Sequence, residues 1–172
     1  MNRALVVVDY QNDFVSGSLG FEDAKRIETR IVELIDEFKK NMDFIFYTKD
    51  THQANYLDTV EGKKLPIEHC IKGTWGHELT PNVNNRVGYD PVIEKETFPS
   101  LQLGNMLKGL PLTEIHLVGL VSDICVISNA IIAKAACPNA EIYIHKDATD
   151  SANKEMQDIA FKLANNLHIN VI

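Results

Sequence analysis

Three residues far apart in the chain, Asp9, Lys95 and Cys125, carry side chains that together could run nucleophilic chemistry. Cys125 comes five residues after an apolar run and opens a helical pattern. A thiol there faces a positive helix terminus and unpaired backbone N–H groups. Both favour thiolate, the nucleophilic form. A free cysteine is also a common small core hydrophobe, and that reading suits Cys137 before Pro138 and extends to Cys70. Asp9 ends an apolar run, where a carboxylate either caps a loop or shuttles a proton to and from the thiol. Lys95, between Glu94 and Glu96, would by itself be a solvated surface lysine. Beside the other two it would hold Asp9 and stabilise the thiolate.

A second constellation has the residue types of a metal site. Asp50-Thr51-His52 puts two ligand-type side chains on one face of an extended segment, and His69 lies in the same long loop. One carboxylate and two imidazoles suit Zn²⁺, Mn²⁺ or Fe²⁺ and leave positions open for water or substrate. Glu61 is a candidate fourth ligand. Any one of these histidines could equally be an ordinary loop side chain; His77, His116, His145 and His168 are read as structural or exposed. Phe14 and Trp75 are either core aromatics or walls for a flat ligand.

The elements that must position these groups follow from the hydrophobic pattern. Ala4-Leu5-Val6-Val7-Val8 reads as a strand buried on both faces. Ala24, Ile27, Ile31, Leu34 and Phe38 recur at helical spacing. Further strands are expected at Phe44–Thr48, Pro91–Glu94, Ile115–Leu120 and Glu141–His145, with a sixth at Ile169–Ile172. Helices are expected from about Asp123 to Ala136 and from about Lys154 to Leu167. From Lys49 to about Pro91 there is little periodicity, which in a compact domain points to function. Strands alternating with helices imply a three-layer, doubly wound α/β fold around a mainly parallel sheet of five to six strands. Sites in such folds lie at the carboxyl ends of the strands, where Asp9, Asp50, His52, Lys95 and Cys125 all fall.

Composition excludes other classes. A chain of 172 residues, 45% hydrophobic and 24% charged, fits one globular domain spanning 1–172. Its net charge of −7 disfavours nucleic acid or an anionic membrane as partner. No apolar run reaches the roughly 18 residues of a spanning helix. The opening Met1-Asn2-Arg3-Ala4 lacks signal-peptide architecture, and three irregularly spaced cysteines suit a reducing compartment. The expectation is a cytoplasmic protein.

The motifs together resemble one family. Asp9-Tyr10-Gln11-Asn12-Asp13-Phe14 followed by Gly17-Ser18-Leu19 is similar to the opening of the isochorismatase-like cysteine hydrolases. Lys95 with Thr97-Phe98-Pro99-Ser100 resembles their lysine segment, and Val118–Val126 their nucleophile segment. Asp50-Thr51-His52 and His69–Thr74 resemble the metal-binding segments of the nicotinamidase branch. The resemblance implies an Asp9–Lys95–Cys125 triad and a cis peptide between Leu120 and Val121. It also implies an oxyanion hole from the Val121 and Cys125 N–H groups. One divalent ion, zinc by preference, would be held by Asp50, His52 and His69 and would bind a pyridine nitrogen. Phe14, Trp75 and Leu120 are expected beside the substrate, and the implied reaction is hydrolysis of nicotinamide through a thioester. The alternatives are another small amide or carbamoyl compound, or a non-catalytic ligand-binding relative. By analogy the assembly is a homo-dimer or homo-tetramer. Departures are Ser128-Asn129-Ala130 and Ile131-Ile132, where the family often has Thr-Ala and then an acid, together with Pro99 and the bulky Trp75. They leave the chemistry alone and bear on the substrate.

Overall fold

The structure, a computed structural model, describes residues 2–172. Six strands form one sheet in which every adjacent pair is parallel. In chain order the main elements are β1 (Arg3–Val8), α1 (Glu28–Lys40), β2 (Phe44–Asp50), β3 (Val92–Lys95), α2 (Leu101–Lys108) and β4 (Glu114–Leu120). They continue with α3 (Ile127–Ala136), β5 (Glu141–Asp150), α4 (Lys154–Asn166) and β6 (Asn170–Val171). The spatial order is β3-β2-β1-β4-β5-β6, so the winding direction reverses between β1 and β4.

The period-2 alternation of β1 divides the core. Ala4, Val6 and Val8 face one layer with Leu103, Leu107, Ala130, Ala133, Ala160 and Ala164 from α2, α3 and α4. Leu5 and Val7 face the other, with Ile31, Leu34, Ile35 and Phe38 from α1. A strand buried on both faces needs apolar residues throughout, which is why β1 shows no polar alternation. Among the described residues no helix is long and apolar enough to cross a membrane.

Three expectations need revision. β5 runs on to Asp150, because its pairing with β4 shifts register between Leu117 and Gly119 and resumes at Thr149 and Asp150. The exposed Lys146 and Asp147 mask that continuation in the sequence. Helix α2 is an addition to the expected elements; Ser100 caps it by accepting from Leu103 N–H at 3.1 Å. The long segment after β2 is also not bare loop, since it forms short helical turns at Tyr56–Asp58, Val60–Lys64 and Pro81–Asn84.

Candidate active site

Asp9 follows β1 with a left-handed backbone (φ 45°), which Asp tolerates better than most residues. Gln11 N–H donates back to the Asp9 carbonyl at 2.8 Å, closing a tight turn. The Asp9 carboxyl is fully buried. Thr48 Oγ1 donates to its Oδ1 at 2.6 Å, and Lys95 Nζ stands 2.6 Å from its Oδ2. From the end of β3, Lys95 also lies 3.7 Å from Cys125 Sγ and donates to the Thr97 carbonyl at 3.1 Å. Cys125 sits in a short π-helical turn, Ser122–Val126, that leads into α3. The Leu120–Val121 peptide just before it is cis. The fold thus gathers Asp9, Lys95 and Cys125 at one edge, just after β1, at the end of β3 and in the segment after β4.

Electrostatics corrects the expectation of a resting thiolate. Burial pushes the Cys125 thiol well above its ordinary pKa; Lys95 pulls it down, and Asp9, which accepts its hydrogen bond, raises it again. The helix terminus does not outweigh the loss of water. Burial also raises the Asp9 carboxyl, against the pull of Lys95, and so makes it a better proton acceptor. Burial by itself would lower the Lys95 ammonium, but Asp9, Cys125 and Asp50 more than offset it, so its pKa is raised and it stays charged. The resting site is therefore a buried thiol with the Lys95 ammonium against both it and the Asp9 carboxyl.

Asp50, His52, Glu61 and His69 each offer a ligand atom, and these atoms lie within 4.8 Å of one another. His52 Nε2 and His69 Nε2 stand 3.1 and 3.4 Å from Asp50 Oδ2, and both stand 3.8 Å from Glu61 Oε1. A tetrahedron with metal–ligand bonds of about 2.1 Å has edges of about 3.4 Å, so the set fits a zinc-sized ion. His69 Nδ1 lies 2.8 Å from the Ile67 carbonyl; donation there leaves Nε2 free to ligate. Burial raises Asp50, but hydrogen bonds from His52 and His69 and the Lys95 charge reverse this and hold it well below the usual carboxylate range.

Other residues hold this centre and were not singled out as candidates. Gln11 is buried and grips Asp50 from both sides, accepting from its N–H at 2.7 Å and donating to its carbonyl at 2.9 Å. Asp13 Oδ2 accepts from Cys70 N–H at 2.8 Å, beside His69, where Cys70 has a left-handed backbone (φ 47°). A Cβ on Gly76 would overlap that carboxylate. Thr51 donates to the Lys49 carbonyl at 3.1 Å, so its 2.8 Å contact with His77 makes the His77 Nε2 the donor. The only signal for Gln11 and Asp13 was their place in the opening motif.

A cavity of about 710 Å³ opens beside His52 and Glu61, walled by Val60, Leu65, Phe98 and Ile124. None of the three expected substrate contacts lines it. Trp75 is 62% exposed on the surface, because its short glycine-flanked turn points the indole into solvent. Leu120 is wholly buried in the inner core, as a β4 residue must be. Phe14 is packed in the same core and reaches the site only through His69, with ring centroids 5.7 Å apart. Phe98 and Ile124, neighbours in sequence of the lysine and cysteine segments, line the cavity instead.

Residues 3–172 match the model of the isochorismatase domain family. An uncharacterised isochorismatase-family protein of Bacillus subtilis, PncA, is 33% identical over 171 residues, covering 90% of each chain. The crystal structure of a Bacillus subtilis nicotinamidase, PncA, superposes with a TM-score of 0.87 at 31% identity over 99% of each chain. The structure of Pyrococcus horikoshii pyrazinamidase in complex with zinc gives 0.86 at 25% identity, covering 100% of this chain and 99% of that one. Strand order, converging side chains and these likenesses lead to one conclusion: the chain belongs to the isochorismatase family.

Proposed function

We propose that the protein is a metal-assisted cysteine amidohydrolase, one catalytic domain over 1–172, that converts nicotinamide and water to nicotinate and ammonia. The observation that carries this reading is the contact of Lys95 with both Asp9 and Cys125, beside a metal-type ligand set. Its composition suits work in the cytoplasm.

In the reading, Asp9 accepts the Cys125 proton as the sulfur attacks the amide carbon, and Lys95 balances the charge passed to sulfur. The Val121 and Cys125 N–H groups receive the oxyanion, a stabilisation worth about 2.7–4 kcal/mol per donor. The C–N bond then breaks as Asp9 returns its proton to the departing nitrogen, giving ammonia and a thioester. Asp9 next takes a proton from water, whose oxygen attacks the thioester carbon, and passes it to the leaving sulfur. An ion held by Asp50, His52, His69 and Glu61, zinc by the fit of the donor set, would supply a Lewis acid for a ring nitrogen. His52 and Glu61 line the cavity, so an ion they held would stand at its wall.

Ammonia release from nicotinamide by the zinc-loaded protein tests the reading. Turnover that disappears in Cys125→Ala is expected; a zinc-loaded protein with no turnover overturns it. Hydrolysis of ureido compounds in the same assay, without nicotinamide turnover, would move the substrate to the carbamoyl class.

A further inference from the structure

Asn129 is one turn beyond Cys125 on α3, wholly buried, and its amide is fully used. Nδ2 donates to the Cys125 carbonyl at 2.8 Å and to the Phe98 carbonyl at 3.0 Å, while Oδ1 accepts from Ser100 N–H at 3.0 Å. The first bond is to the nucleophile's own backbone. The other two are to the segment that leaves β3 after Lys95, forms part of the cavity wall and caps α2 through Ser100. Within that segment the Thr97 carbonyl, next to Phe98, accepts from the Lys95 ammonium at 3.1 Å. One side chain therefore joins the carbonyl carried by the nucleophile to the stretch that holds the lysine.

We infer that Asn129 is a positioning residue that sets the spacing between Cys125 and the Lys95–Phe98 segment, by donating from one amide nitrogen to the Cys125 and Phe98 carbonyls. The inference rests on the triad reading. Two carbonyl oxygens directed at one point repel unless a donor stands between them, and only a group with two hydrogens can serve both. A planar amide supplies these and, from its far end, an acceptor for Ser100. Without it the Thr97–Phe98 carbonyls are free to move from the sulfur, taking with them the partner that aims the ammonium. A hydroxyl side chain offers one hydrogen, so the asparagine makes a double bridge that a serine or threonine cannot.

The test compares wild type with Asn129→Ala, both zinc-loaded, at a temperature where each is folded. The readouts are steady-state turnover of nicotinamide and the pH profile of Cys125 alkylation by iodoacetamide, with alkylation of the wholly buried Cys70 as the monitor of unfolding. A positioning role lowers kcat about 10- to 100-fold with a smaller change in KM. It also moves the alkylation midpoint up by at least about half a unit, as the ammonium's support of the thiolate weakens. A lower Tm with kcat per folded molecule within about twofold and an unmoved midpoint overturns the inference, leaving Asn129 a structural bond. If the alanine variant does not fold, Asn129→Ser is read the same way. Nicotinamide turnover that persists in Cys125→Ala, or none in the wild type, would instead refute the triad itself, so the two failures are distinct.

Discussion

Lys95 and Asp50 meet at 3.4 Å, through the Asp50 oxygen that His52 and His69 leave free. One carboxylate thus serves both constellations, with Oδ2 toward the histidines and Oδ1 toward the lysine. Asp50→Asn should lower zinc affinity at least about 100-fold, by calorimetry or chelator competition. In the metal-free protein the same change should speed Cys125 alkylation at neutral pH, because the Asp50 charge is one of the groups that raise the thiol. Unchanged alkylation would mean that the two centres are electrostatically separate.

Asp9→Asn keeps the shape of the carboxyl but removes the proton acceptor. Turnover of nicotinamide should fall about 10²- to 10⁴-fold with KM little altered. A variant that kept a tenth of the wild-type kcat would show that another group moves the proton.

Gly119, next to the end of β4 and paired with Val8 of β1, has φ +109° and a backbone pressed on the Val8 carbonyl, where a Cβ would overlap the oxygen. Both features require glycine. Gly119→Ala should cost more than about 3 kcal/mol in urea unfolding, or yield no soluble protein. A loss below 1 kcal/mol, about the helix-interior value for the reverse change, would mean that the strands separate easily there.

His116 and His145 pair at 2.8 Å, buried on β4 and β5. Burial and the neighbouring His116 lower His145 from 6.5 to about 4. The unfolded chain therefore binds a proton over a range in which the folded one does not, so stability rises with pH there. Unfolding free energy should be lost as pH falls from 6.5 toward 4, by up to about 3 kcal/mol, and level off below. Urea titrations across that range should show the slope, and His145→Gln should flatten it.

Much of this was legible because buried parallel strands announce themselves. Val6 and Phe46 belong to runs that no amphipathic helix would carry, and chemistry at strand ends followed from the topology. The reactive set was legible for the same reason, since Asp9, Asp50 and Lys95 each interrupt or end such a run. What hid was whatever depends on tertiary packing. Trp75 and Leu120 stand where a surface turn and a central strand put them, away from the cavity beside His52. The charge state of Cys125 was misjudged because a helix terminus is visible in sequence whereas the depth of burial is not. Gln11 and Asn129 act through backbone groups of distant segments, and an amide in a sequence gives no sign of which carbonyl it will find.

Trp75 is the sole tryptophan. Its carbonyl accepts from the Asn12 amide at 2.8 Å, and the adjoining Gly76 and His77 carbonyls accept from Asp13 N–H and the Gln11 amide. Those acceptors tie the indole's loop to the same motif that clamps Asp50 and the turn at Cys70. The molecule accordingly carries its own optical gauge: any rearrangement of that loop would change the surroundings of one fluorophore, and can be followed as emission without any label.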